Sequence, residues 1–337
     1  MLGLIIRHLM YTLTTYFLFH FLLSGFMAFK GIILSKLLSI PLVLSYHTHI
    51  PIYSSSYVKP KWLATQVTRF LWLLIRLVHS LADATVVTSP QIQQEFVDHN
   101  VPRVDLWKKG VDANRFHPRH YNPEMRNFMT DGHPNDFLMV FVGRLASEKR
   151  AEDLKEVLQR MGPGVRLCLV GAGPHEEFLK KHFEGTNTVF TGELHGDELC
   201  QTFASADAFA FPSDSETLGF VIMEAMASGI PVVACNRGGI PSMVRHGETG
   251  YLVEPDDADG YVNILTELKN DPKLREQISK RARQEVETWT WGESMANICD
   301  VTYRKAQTHY SNRWNVRLWR MIFGGGSHTT TRGTVTA

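Results

Sequence analysis

Two cations and one loop-to-helix junction carry the chemistry legible in this sequence. Gly143-Arg144 closes an apolar run, Phe137–Val142, and Lys149 lies five residues beyond Arg144. A second apolar run, Ala208–Phe211, leads through Pro212 to Glu216-Thr217-Leu218-Gly219 and a helical stretch. Breaking a bond to a phosphate leaving group places negative charge on that group, and something must stabilise it in the transition state. Arginine offers fixed donors, lysine a point charge, and the first turn of a helix free amides at the positive end of a dipole. The pattern predicts that Arg144, Lys149 and the amides beginning at Gly219 face one diphosphate at a single sheet edge. No metal is expected there. The close acidic pair, Asp257-Ala258-Asp259, follows Pro255 and precedes a helix, so it reads as a helix cap matched to the dipole.

Glu216 and Glu224 flank seven residues. A carboxylate just inside the helix can accept from both hydroxyls of a ribose, and one just before it from the hydroxyls of a sugar. That spacing alone is common in helices. The full string of Arg144, Lys149, Pro212, Glu216, Gly219, Glu224 and Gly229-Ile230-Pro231 is specific. Gly171-Ala172-Gly173 follows a strand but meets Glu176, so the three-glycine dinucleotide pattern fails. It reads as a tight turn that lets a ligand approach. His47 and His49 follow the apolar run Leu42–Tyr46 without an evident third metal ligand. A satisfied structural role is the alternative for either, and His47, directly at the strand end, is the better candidate for contact with a ligand.

The elements that must position these residues alternate. Runs at 42–46, 84–88, 104–107, 137–142, 166–170, 188–190, 208–211 and 231–234 read as strands, with helices between them over 61–81, 150–160, 175–183, 196–204 and 219–228. Such alternation predicts an α/β fold with parallel, doubly wound sheets, whose ligands bind outside the carboxyl ends of the strands. Ser89-Pro90 is a helix start. In helix 61–81, Leu63, Val67, Leu71, Leu74 and Val78 read as the buried stripe, and Trp62, Arg69 and Arg76 as a second, basic and aromatic one. The polar stretch 119–136 reads as the connection between two domains, and 258–320 as a helical tail.

Among 337 residues, 44% are hydrophobic and 20% charged, with a net charge of +1, which fits a globular chain of two domains. The charge is uneven: no Asp or Glu precedes Asp83. This cationic, apolar first third suits an anionic membrane surface, or a basic face that meets a phosphate ligand. Leu9–Phe29 lacks charge except at its histidine and is of marginal length to span a membrane. Trp314–Phe323, aromatic and basic, reads as a second membrane contact or as a helix packed on the first domain. Four scattered cysteines fit a reducing interior.

These residues resemble the large retaining GT-B glycosyltransferase family that contains sucrose synthases and lipid glycosyltransferases. The likeness runs from about Phe21 to Thr290. It is carried by Leu44-Ser-Tyr-His47-Thr-His49-Ile-Pro, Leu106-Trp-Lys-Lys-Gly-Val-Asp112, Gly143-Arg144 with Glu148-Lys149, Gly192-Glu-Leu-His-Gly-Asp-Glu-Leu199 and Pro212 to Gly219. Within that family the strings look most like the sulfoquinovosyltransferases of plants and cyanobacteria. The resemblance implies two Rossmann-like domains facing a cleft: an incomplete first domain at 21–118 after an unmatched apolar segment 1–20, a linker at 119–136, a donor domain at 137–290, a helical segment at 291–323 and a disordered tail at 324–337. It implies that Gly143, Arg144 and Lys149 hold the diphosphate, that Glu224 binds the ribose, and that Leu194 sits by the uracil. Glu216, Thr217, Leu218 and Gly219 would meet the donor sugar, and His47 the reacting carbon. The implied partners are a UDP-sugar donor, diacylglycerol as lipid acceptor and a membrane surface, with no cofactor and no nucleic acid. The implied place is the chloroplast envelope, although no transit peptide is readable. UDP-glucose, UDP-galactose or GDP-mannose as donor, or nucleotide-sugar binding without catalysis, remain alternatives.

Overall fold

The computed structural model of the chain describes residues 19–22, 26–52, 58 and 60–313. They form two parallel sheets. The first has strands β1 (Phe19–Leu22), β2 (Leu42–Tyr46), β3 (Ala84–Val87) and β4 (Val104–Leu106) in that order. The second contains β5 (Phe137–Val142), β6 (Val165–Val170), β7 (Thr188–Gly192), β8 (Ala208–Phe211), β9 (Val232–Cys235) and β10 (Tyr251–Val253), ordered β10-β9-β8-β5-β6-β7. Its central strands are buried along their whole length, as the unbroken apolar runs require of a sheet covered on both faces.

Two expectations about boundaries change. The stretch 119–136 is not a free connection. Its helix Pro123–Met129 starts on the Asn122 side chain and packs on helix Gly196–Ala204. Arg126, 8% exposed, pairs with Asp207 at 2.6 Å and donates to the carbonyl of Ser205 at 2.8 Å. Val111, Phe116 and Met129 already belong to the core of the second half, and the buried Arg126 finds its acceptors there. The chain therefore changes halves between Trp107 and Val111. It returns at 289–294: the amide of Val111 donates to Trp289, and the Ser294 hydroxyl joins the Trp107 indole (3.0 Å) to the Lys108 carbonyl (2.7 Å).

The second change concerns helix Lys61–Ser80. Its buried residues are Ala64, Trp72, Ile75 and His79, not the stripe centred on Leu63 and Leu74, both of which are exposed. The helix has a basic, polar side and an apolar arc broader than the face it buries, so periodicity does not fix which part turns inward. Packing does: Trp72 fits against Phe96, and the His79 ring meets the Thr85 hydroxyl at 3.0 Å. Trp62, Phe70, Leu73 and Leu77 are left on the outside.

Leu9–Phe29 is described only from residue 19, where it is β1 and the start of helix Phe26–Leu38. No helix among the described residues is long and apolar enough to cross a membrane. The segment Trp314–Phe323 and the tail after it lie outside the described residues.

The helices that end the described chain return to the first sheet. Ala306 packs among Val43, Ala84 and Val86. The fully buried carboxylate of Asp83 pairs with Arg313 at 2.6 Å and His309 at 2.9 Å, and accepts from the amide of Leu42 at 3.0 Å. Removing one partner of such a group leaves its cations without their counter-charge. Asp83→Ala is expected to lower stability by about 3–5 kcal/mol, read as a shift of the urea midpoint, with helix 304–312 losing amide protection before the second sheet does.

Candidate active site

The order of the second sheet makes neighbours of the loops after β9, β8, β5, β6 and β7. Two tight backbone contacts lock them together. The amide of Leu145 donates to the carbonyl of Ala172, and that of His175 to Leu145. A Cβ on Gly173 would lie 2.2 Å from the Leu145 oxygen. Gly171-Ala172-Gly173 is therefore tight because the backbone beside Arg144 approaches it; the expected ligand approach is not what demands glycine here. On the other side, the amide of Gly239 donates to the Glu216 carbonyl at 2.7 Å, and a Cβ on Gly239 would lie 2.3 Å from the Thr217 oxygen. The sequence shows Gly238-Gly239 after a strand, but nothing in it says which loop the pair supports.

Between these clamps stands an ion pair. Lys149 Nζ lies 2.7 Å from Glu216 Oε2, with both side chains less than one-fifth exposed. The other oxygen of Glu216 accepts from the amides of Thr217 and Gly219, each at 3.1 Å. Gly219 takes the left-handed conformation (φ 71°) that turns the chain into helix Phe220–Ala227. The structure thus brings Gly143, Lys149, Glu216, Thr217 and Gly219 to one sheet edge. Arg144 is exposed beside them, and its side chain makes no hydrogen bond or ion pair among the described residues. Leu218 is buried in the core, so only its backbone faces outward chemistry. Leu194 follows β7 at the same edge, half-buried.

Thr217 joins the halves. Its hydroxyl donates to the carbonyl of His47 at 2.9 Å, and its carbonyl accepts from the Thr88 hydroxyl at 3.2 Å. His47 is thereby held opposite the Lys149–Glu216 pair. Its Nε2 is buried without a hydrogen-bond partner among the described residues, its ring packs edge-on against Trp107, and burial lowers its pKa, which favours the neutral imidazole. His49 is a different case. It is 4% exposed, Nε2 meets Glu95 at 2.6 Å, and Nδ1 accepts from the Ile52 amide. It is a satisfied structural histidine. The acidic pair near the second sheet is also used in folding: Asp257 caps the Gly260 amide at 2.8 Å, and Asp259 pairs with Arg160.

Glu224 sits one turn into the helix. Burial pushes its pKa up to about 7, and the nearby charge of Arg115 opposes the rise only in part. Arg115 was not singled out in the sequence because it lies 109 positions away, in the segment that crosses between halves. Unfolded, this carboxyl titrates near 4.5. Below that pH both states are protonated and burial costs nothing; above about 7 the folded state bears the full cost of a desolvated charge. Glu224→Gln should therefore stabilise the ligand-free protein at pH 8, by up to about 3 kcal/mol for a shift of this size, and leave it unchanged at pH 4. Denaturant midpoints at the two pH values check this; a gain at pH 4 equal to that at pH 8 contradicts it.

Known proteins are similar to this chain in sequence and in fold. The family model described as glycosyl transferases group 1 matches residues 128–285, and that of glycosyltransferase family 4 matches residues 14–115. The chain is 41% identical to the sulfoquinovosyl transferase of Arabidopsis thaliana over 84% of its own length, but spans only 55% of that protein. It is 34% identical to a GDP-mannose-dependent alpha-mannosyltransferase of Mycobacterium tuberculosis, covering 83% of this chain and 70% of that one. In fold it is similar to Anabaena HepE, solved with UDP and glucose (TM-score 0.71, 22% identity, 88% of this chain and 80% of that one). The sucrose-phosphate synthase of Thermosynechococcus elongatus is alike at TM-score 0.70, again with 22% identity, over 92% of this chain and 74% of that one. Two parallel α/β halves meeting at the carboxyl edges of their sheets are the GT-B fold, and with these relatives the chain belongs to the glycosyl transferases group 1 family.

Proposed function

We propose that the protein moves sulfoquinovose from UDP-sulfoquinovose to diacylglycerol with retention of the anomeric configuration. The observation that carries this reading is the 41% identity to the Arabidopsis sulfoquinovosyl transferase across residues that include the Lys149–Glu216 site. In the proposed complex, Arg144 and Lys149 hold the diphosphate at the first turn of helix Phe220–Ala227, since the Gly143 and Gly219 amides already donate to Val170 and Glu216. Glu216 accepts from the donor sugar with Thr217 and Leu218 lending backbone, Glu224 accepts from the ribose hydroxyls, and Leu194 meets the uracil. His47 lies at the reacting carbon. The acceptor oxygen bonds to that carbon on the face from which the phosphate departs. The departing phosphate oxygen takes the acceptor's proton, and UDP leaves. The Arg144 side chain, exposed at the sheet edge, is placed to follow the charge that develops on the phosphate.

A membrane surface supplies the acceptor in this reading. Helix Phe26–Leu38 exposes Phe29, Ile33 and Leu37, and helix Lys61–Ser80 exposes Trp62, Phe70, Leu73 and Leu77. Lys61, Arg69 and Arg76 line a groove of about 990 Å³ along the second helix. Apolar side chains interleaved with cations suit an anionic bilayer, and we place it at the chloroplast envelope.

Labelled UDP-sulfoquinovose, UDP-glucose and GDP-mannose, each offered with vesicles containing diacylglycerol, test the donor. Transfer from UDP-sulfoquinovose is expected; transfer from GDP-mannose alone replaces the donor, and UDP binding without transfer from any of them leaves a binding protein. Glu224→Ala should weaken UDP binding by about 1.5–3 kcal/mol, the loss of a charged hydrogen bond; calorimetry showing equal affinity removes the ribose role.

A further inference from the structure

Arg150, the residue after the site lysine, adopts a left-handed backbone (φ 53°). A long side chain stays in that conformation only where its surroundings over-determine it. Here the surroundings are three carboxylates on three different segments. Nε donates to Asp153 at 2.8 Å, in the turn that follows. Nη1 lies 3.5 Å from Asp214, in the loop that leads to Glu216. Nη2 pairs with Asp256, in the loop after β10. The loop after β8 also reaches back across Lys149. The hydroxyls of Ser213 and Ser215 donate to the carbonyl of Glu148 at 3.4 and 3.1 Å. Glu148–Arg150 is therefore tied on both sides of Lys149 to the loop that carries Glu216.

We propose that Arg150 is a positioning residue for the transfer step: its guanidinium gathers carboxylates from three loops and so holds the Lys149 ammonium against Glu216 before a donor arrives. This rests on the functional reading above. It adds that the lysine's place is set by charge pairing on its far side, not by the strand that precedes it. Removing Arg150 leaves three like charges close together, and the two loops separate.

The experiment is a double-mutant cycle on the full chain, with kcat and the donor KM measured for the wild type, Arg150→Met, Lys149→Ala and the pair. Arg150→Met should lower kcat by about 10- to 100-fold, as displacement of a positioned group by about an ångström does. In the Lys149→Ala background the same change should cost less than about 2-fold, because coupled residues are non-additive. Arg150→Lys keeps a charge without the fork and should recover part of the loss. Equal losses in both backgrounds, or wild-type kcat in Arg150→Met, overturn the proposal. If Arg150→Met does not fold, Asp256→Asn takes its place. That side chain is 78% exposed, and asparagine tolerates its positive φ. A fall in kcat that vanishes without Lys149 supports the clamp, and one that persists overturns it. Should the wild type bind UDP without turnover, the cycle is read on UDP affinity with the same expectation. A wild type that neither binds UDP nor turns over sinks the functional reading, and this role with it.

Discussion

An ammonium and a carboxylate 2.7 Å apart, mostly shielded from solvent at the open end of a short helix, set the terms for the rest of the molecule. Neither charge is tolerable there alone. Glu216 is satisfied by Lys149 and by two amides of its own loop, and those amides are in place because Gly219 turns left-handed before the helix. The turn is in place because Gly238 and Gly239, with no side chains, let another loop press against it. Buried backbone contact thus fixes a charged site that exposed side chains could not hold by themselves. A site built this way has its lysine and its amides fixed in place by contacts of the fold itself.

Much of this was legible in the sequence. Buried parallel strands are largely apolar runs, so β2, β3, β5, β6, β8 and β9 stand out between glycines and polar turns. Lys149, Glu216 and Gly219 followed from residue type and from their place at strand ends. What escaped has physical causes. β1 has only four residues within a longer apolar stretch, and β10 has three. The buried face of helix Lys61–Ser80 is not fixed by its apolar arc, which is broader than the face it buries, and the choice belongs to partners elsewhere in the chain. Arg126 in the supposed linker and Arg115 beside Glu224 are ordinary surface arginines by their neighbours. Their burial or influence depends on contacts about 80 to 110 positions away.

The same distinction separates His47 from His49. Two residues apart at one strand end, they differ in the sequence only by their distance from the strand. Glu95 and the Ile52 amide consume both nitrogens of His49, whereas the Nε2 of His47 is left without a partner beside Thr217. Hydrogen-bond satisfaction, not proximity to the edge, marks which of the two has capacity left for a ligand.

The contact at Thr217 has one more consequence. The two halves are stitched by paired backbone at 107–111 and 289–294, and on the far side by two hydroxyl-to-carbonyl bonds through one threonine. Neutral bonds of that kind contribute about 1 kcal/mol each. Parting them shifts the balance by a factor of only about 30. The seam is thus strong at the pivot and weak at the lip, like a book held closed by its cover, and a bulky donor would gain entry by thermal opening without unfolding anything.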